Sequence, residues 1–182
     1  IEQVVSEEFF SIANIGTLDN YRYRYFGNVW DVRQASSTAG GGRSEAFTLD
    51  GLIHVMSADA SADHQVYDPV KNKWDASEVL PANRSGGGAE AMGAFGYAFS
   101  GTDLATSVRW NPLTNAWSAM GNVNQAVTDT GHGTGNGLIF KMGGTNAGVN
   151  YQTSIESYDV DANAWTARIG LNTARAVAAS PR

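Results

Sequence analysis

The chain has 182 residues, a formal net charge of −6, 16% charged residues and no cysteine. Its length is sufficient for one domain with a hydrophobic core, while the lack of cysteine excludes disulfides and thiolate metal sites. The negative charge and the scattered basic residues argue against nucleic-acid binding, and no apolar run approaches the roughly 18 residues of a membrane span.

One pattern occurs four times along the chain, at intervals of 43 to 48 residues. Each copy has an aromatic residue, an Asn five positions later and a Trp two positions after that. The aromatic residues are Tyr23, Tyr67, Trp110 and Tyr158, the Asn residues are Asn28, Asn72, Asn115 and Asn163, and the Trp residues are Trp30, Trp74, Trp117 and Trp165. The spacing predicts four copies of one structural unit.

In chain order, the predicted repeats cover residues 1–34, 43–80, 84–121 and 127–171. The first contains only the later segments of a unit, whereas each of the others has about four short segments between turn signals. These segments are rich in β-branched and aromatic residues, as is typical of antiparallel strands. No segment has a sustained apolar stripe of helical period, so we expect very little helix.

The turn before each Trp has a recognisable chemistry. Pro69 and Pro112 follow an Asp or Asn whose side chain can bond to the turn backbone, and Asn72 and Asn115 tolerate the left-handed conformation. This combination predicts a tight hairpin between the last two strands of each unit.

The fourth copy of this turn resembles the start of a calcium loop, because Asp159, Asp161 and Asn163 alternate. A calcium loop needs Gly at its sixth position and an acidic residue at its twelfth. Ala164 and Gly170 stand at these positions. We therefore predict another hairpin turn, and no metal site.

A four-stranded sheet of this size cannot bury both of its faces alone. Radial packing of such sheets gives an all-β fold, the β-propeller, in which the Trp and aromatic side chains fill the space between blades. The end of the chain, 175–182, matches the opening strand of a unit. Either this strand completes the first blade and closes a four-bladed ring, or the chain is part of a larger or shared propeller.

The repeats resemble the kelch repeat, an apolar strand that ends in Gly-Gly and is followed by a Tyr and then a Trp. Gly143, Gly144, Tyr158 and Trp165 give the best match, in the last copy. The resemblance implies a single kelch-like propeller domain over 1–182.

The WD40 repeat is the competing propeller family. Its Trp-Asp dipeptide occurs at 30–31 and 74–75, but Ser118 and Thr166 follow the other two Trp residues, and no Gly-His pair recurs at the required offset. The kelch resemblance is the better one.

Three arginines, Arg43, Arg84 and Arg175, open the first predicted strand of a blade. This placement predicts guanidinium groups near one mouth of the central channel, where they suit a carboxylate, a phosphate or an acidic glycan. The alternative is that each Arg caps or stacks on its own blade.

His132 lies in a first strand, which lines the channel of a propeller, and is the best candidate for a functional histidine. Glu45 and Glu90 occupy similar early-strand positions and could face each other across the channel. His54 lies in an apolar strand, and we expect it to be packed with one hydrogen bond. The chain has no GxSxG nucleophile elbow and no P-loop.

Taken together, these features predict a non-catalytic binding or assembly module that presents loops to a protein or glycan partner. The low charge and abundant Gly also suit a structural part of a virion or an extracellular assembly. The alternative is a propeller enzyme that acts on a sugar or acidic glycan through Arg43, Arg84, Arg175 and His132 at the channel mouth. We expect no cofactor, nucleic acid or membrane insertion, and the sequence does not define a compartment.

Overall fold

A computed structural model of the chain describes residues 8–12, 19–24, 27–36, 43–56, 62–102, 104–146 and 150–176. These residues form β-strands and no α-helix, which confirms the all-β prediction. The strands are β1 (Glu8–Ile12), β2 (Asn20–Arg24), β3 (Val29–Arg33), β4 (Glu45–Leu49), β5 (Leu52–Met56), β6 (His64–Asp68), β7 (Lys73–Ala76), β8 (Gly88–Met92), β9 (Phe95–Phe99), β10 (Ser107–Asn111), β11 (Ala116–Ala119), β12 (Gly131–Gly135), β13 (Leu138–Met142), β14 (Thr145–Asn146), β15 (Asn150–Tyr151), β16 (Ile155–Asp159) and β17 (Ala164–Arg168). Within the described ranges, no helix is long and apolar enough to cross a membrane.

The strands form four antiparallel blades of a β-propeller. The first blade has the order β1-β2-β3, the second β4-β5-β6-β7, the third β8-β9-β10-β11 and the fourth β12-β13-β16-β17. The three strands of the first blade correspond to the second, third and fourth strands of the other blades. A two-stranded hairpin, β14-β15, is inserted into the fourth blade and was not predicted from the sequence.

The opening strands of the last three blades lie at the centre, since β8 contacts both β4 and β12. Of the predicted closing strand, residues 177–182 lie outside the described residues. Arg175 lies beside the fourth blade, where its carbonyl accepts a hydrogen bond from the Gly144 N–H at 2.9 Å.

The up-and-down order of the strands sorts the connections onto two faces. One face, which we call the turn face, carries the tight turns after the first and third strands of each complete blade. The opposite face, the loop face, carries the longer connections, both between blades and in the middle of each blade. On this face the third and fourth blades have connections at 77–87, 100–106, 120–130 and 143–154.

The Asn residue of each repeat adopts the left-handed conformation, as predicted, with φ between 48° and 53° at Asn28, Asn72, Asn115 and Asn163. The residue that opens the turn caps it. In the fourth blade, Asp159 Oδ1 accepts hydrogen bonds from the N–H groups of Asp161 and Ala162, at 2.9 and 3.1 Å. The alternating acidic string is therefore a hairpin turn.

The same Asn side chain joins its blade to the preceding one. Within the blade, Oδ1 of Asn72 accepts the Tyr67 hydroxyl at 2.8 Å, and Oδ1 of Asn163 accepts the Tyr158 hydroxyl at 2.8 Å. Each oxygen also accepts a backbone N–H from the chain leaving the preceding blade, four positions after that blade's Trp. We call this the interblade bond, and it occurs from Gln34 to Asn72 at 2.8 Å, from Glu78 to Asn115 at 3.3 Å and from Gly121 to Asn163 at 2.9 Å.

The aromatic residue and the Trp of each repeat are register partners on adjacent strands. The ring centroids of Tyr67 and Trp74 lie 5.0 Å apart, and those of Tyr158 and Trp165 lie 5.3 Å apart. Trp74 and Trp165 are buried, whereas Trp30 of the first blade is 57% exposed. The predicted interblade role of the Trp residues is thus seen wherever a described blade precedes them.

We predict that Asn163→Gly lowers the free energy of unfolding by about 1–3 kcal/mol. Glycine keeps the left-handed backbone but removes the oxygen that accepts from Tyr158 and Gly121. Chemical denaturation measures the loss. The matched control is Asn136→Gly, because Asn136 also has a positive φ of 50° but takes no part in an interblade bond. A control that loses as much as the test variant would contradict this role for the side chain.

Candidate functional site

Three inner strands from three blades bring His132, Glu45 and Glu90 together. His132 Nδ1 lies 2.8 Å from Glu90 Oε1, and His132 Nε2 lies 3.1 Å from Glu45 Oε2. The side chain of His132 is 11% exposed and those of the two glutamates are 20% exposed. The histidine of the fourth blade therefore bridges carboxylates of the second and third blades, a group that we call the His132 cluster.

The cluster strongly alters the proton affinity of its histidine. Burial alone would lower the pKa of His132, but hydrogen bonds and charge attraction from Glu45 and Glu90 outweigh burial and raise this pKa to about 9. Burial raises the pKa of Glu45, while its bond to His132 acts in the opposite direction. At neutral pH, His132 is an imidazolium that donates from both nitrogens.

This charge state limits the chemistry of the cluster. A histidine that acts as a general base near pH 7 must be able to lose its proton there, and His132 is held protonated. The imidazole also stands between the two carboxylates, so the three groups do not face a common centre. Among the described residues, no group of three or more His, Asp or Glu side chains is placed to hold a metal ion.

Arg43 lies close to the cluster in sequence, two residues before Glu45, and pairs with Asp129 of the loop that enters the fourth blade. Its Nε lies 3.3 Å from Asp129 Oδ1, and its side chain is 52% exposed. The Arg43 carbonyl accepts the Gly86 N–H at 3.2 Å. Three blades therefore meet here, with charged groups accessible from the loop face.

Arg84 has a different environment from Arg43, since it is only 6% exposed. Its guanidinium donates to the carbonyl oxygens of Ser100 and Thr106, at 3.1 and 2.6 Å, and to the Thr106 hydroxyl at 2.9 Å. Burial lowers the pKa of Arg84 to about 10. These contacts bind Arg84 to its own blade, which is the structural alternative considered for the repeated arginines.

Arg175 is exposed and donates from Nε to the Thr173 carbonyl at 3.2 Å. The three arginines thus have three separate sets of partners. The structure brings His132 together with Glu45 and Glu90, and does not join the arginines through a common contact.

A buried histidine pair also lies in the second blade. Nδ1 of His54 is 3.0 Å from Nε2 of His64, and both side chains are fully buried. Phe47 stacks on His54 at 4.7 Å between centroids, and Trp110 of the third blade lies 4.5 Å from the same ring. Burial lowers the pKa of His54 to about 4 and that of His64 to about 3, so both are neutral. The single hydrogen bond expected for His54 is present, but its partner was not anticipated.

A buried ion pair anchors the connection between the third and fourth blades. Lys141 Nζ lies 2.9 Å from Glu156 Oε1, and the side chains are 0% and 2% exposed. The carboxylate also accepts the backbone N–H groups of Asn124 and Gln125, at 2.6 and 3.1 Å. The sequence does not predict this ion pair, although a Lys inside an apolar strand is a signal for a buried partner.

The fourth blade gives the match to a known repeat. Residues 127–167 match the family model described as the Kelch motif. The fourth blade therefore carries a kelch motif. The match covers Gly143, Gly144, Tyr158 and Trp165, on which the sequence resemblance rests.

Similar proteins support this assignment. The chain is 34% identical to Kelch-like protein 21 of Danio rerio over 86 residues, which are 44% of this chain and 14% of that protein. It is 24% identical to Kelch-like protein 25 of Xenopus tropicalis over 119 residues, which are 58% of this chain and 20% of that protein. The chain thus spans at most a fifth of these curated relatives.

A solved propeller is similar in fold. The structure titled "Structure of YjhT" aligns with a TM-score of 0.63 at 14% identity, over 71% of this chain and 52% of that chain. At this identity the likeness concerns the fold alone, and it supports the interpretation of the kelch sheets as propeller blades.

We predict that the His132 cluster stabilises the kelch chain below about pH 6.5 and loses this effect as the pH rises through 9. The folded pKa of about 9 lies above the ordinary value of 6.5, so the stabilisation comes from a proton that the folded chain retains. Between pH 6.5 and 9, wild type is expected to lose at most about 3 kcal/mol, whereas His132→Gln should change little.

Nuclear magnetic resonance provides a direct check, because the chain has 3 histidines. One ring should titrate near pH 9 and be absent from His132→Gln, while the rings of His54 and His64 serve as internal controls that titrate near 4 and 3. A His132 ring that titrates at or below pH 6.5 would contradict the charged cluster.

Proposed function

We propose that the kelch chain is a non-catalytic binding module that receives a protein partner on its loop face. The observation that carries the proposal is the one-sided arrangement of the connections. Long connections of neighbouring blades lie side by side on the loop face, whereas the connections that the structure describes on the turn face are tight hairpins. Loops held on a rigid scaffold are the usual location of binding residues.

The described loops on this face are bonded to one another. Thr128 and Thr145 exchange backbone hydrogen bonds at 2.9 and 2.7 Å, and Gly101 donates to the Val127 carbonyl at 2.9 Å. The Thr102 N–H donates to the Ser85 carbonyl at 2.9 Å, which joins a loop within the third blade to the loop that enters it. Pre-organised loops lose little entropy on binding, which favours affinity.

The loop face also has side chains suited to a protein interface. Tyr151 of the β15 strand is 63% exposed, and Asn146 and Asn150 beside it are exposed too. Arg43 adds a half-exposed guanidinium near the centre. Tyr and Arg are the residue types enriched at the energetic centres of interfaces.

The comparisons favour a protein as the partner, because the named relatives are Kelch-like proteins. The proposals of a glycan partner and of a structural role in a virion or an extracellular assembly rest on composition alone, since the chain has 21 Gly and 16% charged residues.

An enzyme of sugars or acidic glycans is the second candidate, and the convergence of His132, Glu45 and Glu90 favours it. The raised pKa of His132 disfavours it, because catalysis of proton transfer is most efficient when the pKa lies near the working pH. Turnover of a sugar acid by wild type, abolished in a folded His132→Gln variant, would establish the enzyme instead.

The binding proposal predicts that substitutions on the two faces have different effects. Tyr151→Ala and Arg43→Glu should each reduce recovery of specific partners by about tenfold, because both side chains are accessible on the loop face. The measurement is quantitative affinity enrichment from cells that express the chain.

Val70→Ala and Leu113→Ala are the matched controls, because these side chains are 93% and 94% exposed in turns of the turn face. They should leave recovery unchanged. Loss of partners with the turn-face variants and not with the loop-face variants would assign binding to the opposite face and overturn the proposal.

A further inference from the structure

We propose that a side-chain hydrogen bond between Gln125 and Gln152, which we call the amide link, positions the β14-β15 hairpin for binding. Through this link, the buried pair of Lys141 and Glu156 fixes the exposed Tyr151. The inference rests on the proposed function, because it names the contacts that hold one part of the loop face ready for a partner.

The buried ion pair fixes the backbone on both sides of Gln125. The Glu156 carboxylate accepts the N–H groups of Asn124 and Gln125, at 2.6 and 3.1 Å, and the side-chain amide of Asn124 at 2.9 Å. Lys141 Nζ donates to the Gln125 carbonyl at 3.0 Å. Because the ion pair holds both the N–H and the carbonyl of this residue, it also determines the direction in which the Gln125 side chain leaves the backbone.

The amide link joins this fixed residue to the second strand of the hairpin. Gln125 Nε2 donates to Gln152 Oε1 at 2.6 Å. Gln152 in turn donates from Nε2 to the Asn150 carbonyl at 2.7 Å, and from its backbone N–H to the Gly144 carbonyl at 2.9 Å. Since Tyr151 lies between Asn150 and Gln152, both of its neighbours in the chain are held by these bonds.

The first strand of the hairpin is held separately, by the backbone. Thr128 and Thr145 exchange backbone hydrogen bonds. The close approach needs a glycine beside it, because a Cβ added at Gly144 would lie 2.7 Å from the Thr128 carbonyl oxygen. The backbone therefore anchors β14, whereas the amide link anchors β15. Loss of the link should free the β15 side of the hairpin and leave the β14 side in place.

The amide link can be removed without disturbing the core. Gln125 and Gln152 are half-buried, whereas the side chains of Lys141 and Glu156 are 0% and 2% exposed. Removal of one member of the ion pair would leave the other charge unpaired in the core, which is strongly destabilising. Substitution of Gln125 therefore separates a positioning role from a role in folding.

Two variants break the arrangement at different points. Gln125→Ala removes the amide link and keeps the ion pair. Lys141→Met combined with Glu156→Leu removes both charges and keeps apolar volume in the core, a replacement that buried ion pairs often tolerate. Asn122→Ala is the matched control, because Asn122 is an exposed amide of the same connection. Thermal melts verify that each variant is folded.

Hydrogen exchange followed by mass spectrometry tests the link in the absence of any partner. Gln125→Ala and the double variant should each increase exchange at the Gln152 N–H by about tenfold, since the local opening of β15 becomes easier. Asn122→Ala should match wild type, and the Thr145 N–H should stay protected in Gln125→Ala. Unchanged exchange at Gln152, or faster exchange throughout the fourth blade of Gln125→Ala, would overturn the proposal.

Partner recovery then tests whether the position of Tyr151 affects binding. Gln125→Ala should reduce recovery severalfold. Its combination with Tyr151→Ala should lose no more than Tyr151→Ala alone, because the link acts through that side chain. Additive losses would contradict positioning. If recovery does not depend on Tyr151 at all, the proposed function fails at the hairpin, whereas the exchange measurement still decides whether the link positions it.

Discussion

One asparagine per repeat determines how the blades are held together. Its backbone reverses the chain in a conformation that most side chains avoid, which leaves the amide oxygen between two blades. That oxygen accepts one donor from its own blade and, in three of the four repeats, one from the chain that leaves the preceding blade. The local turn and the long-range packing therefore depend on the same side chain, and the Trp two residues later lies on the buried side of the contact.

At the channel mouth, electrostatics joins strands that share no backbone hydrogen bonds. Glu45, Glu90 and His132 come from three inner strands, and each would be costly to bury alone. Together they place one positive charge between two carboxylates. This arrangement joins the inner strands of the second, third and fourth blades at the centre of the fold.

The sequence was informative where the chemistry is local and periodic. The Asn–Trp spacing predicted the turns, the hairpins and the all-β propeller, since those features depend on neighbouring residues. It could not assign partners that depend on the exact register between neighbouring strands joined by a long connection, such as His64 for His54 or Glu156 for Lys141. Arg84 and Arg43 look equivalent in the repeat, yet one is buried among the carbonyls of its own blade and the other is half exposed beside Asp129. The short β14-β15 hairpin has too few residues to show a period.

The buried pair of Lys141 and Glu156 has a consequence for the behaviour of the chain in different ionic environments. Dissolved ions screen exposed charges strongly and buried ones weakly. Concentrated salt would therefore weaken the partly exposed contact of Arg43 with Asp129, while the connection at Asn124 and Gln125 stays fixed to its carboxylate. The chain that leads into the fourth blade would keep its position, whereas the ion pair of Arg43 and Asp129 above the channel would weaken.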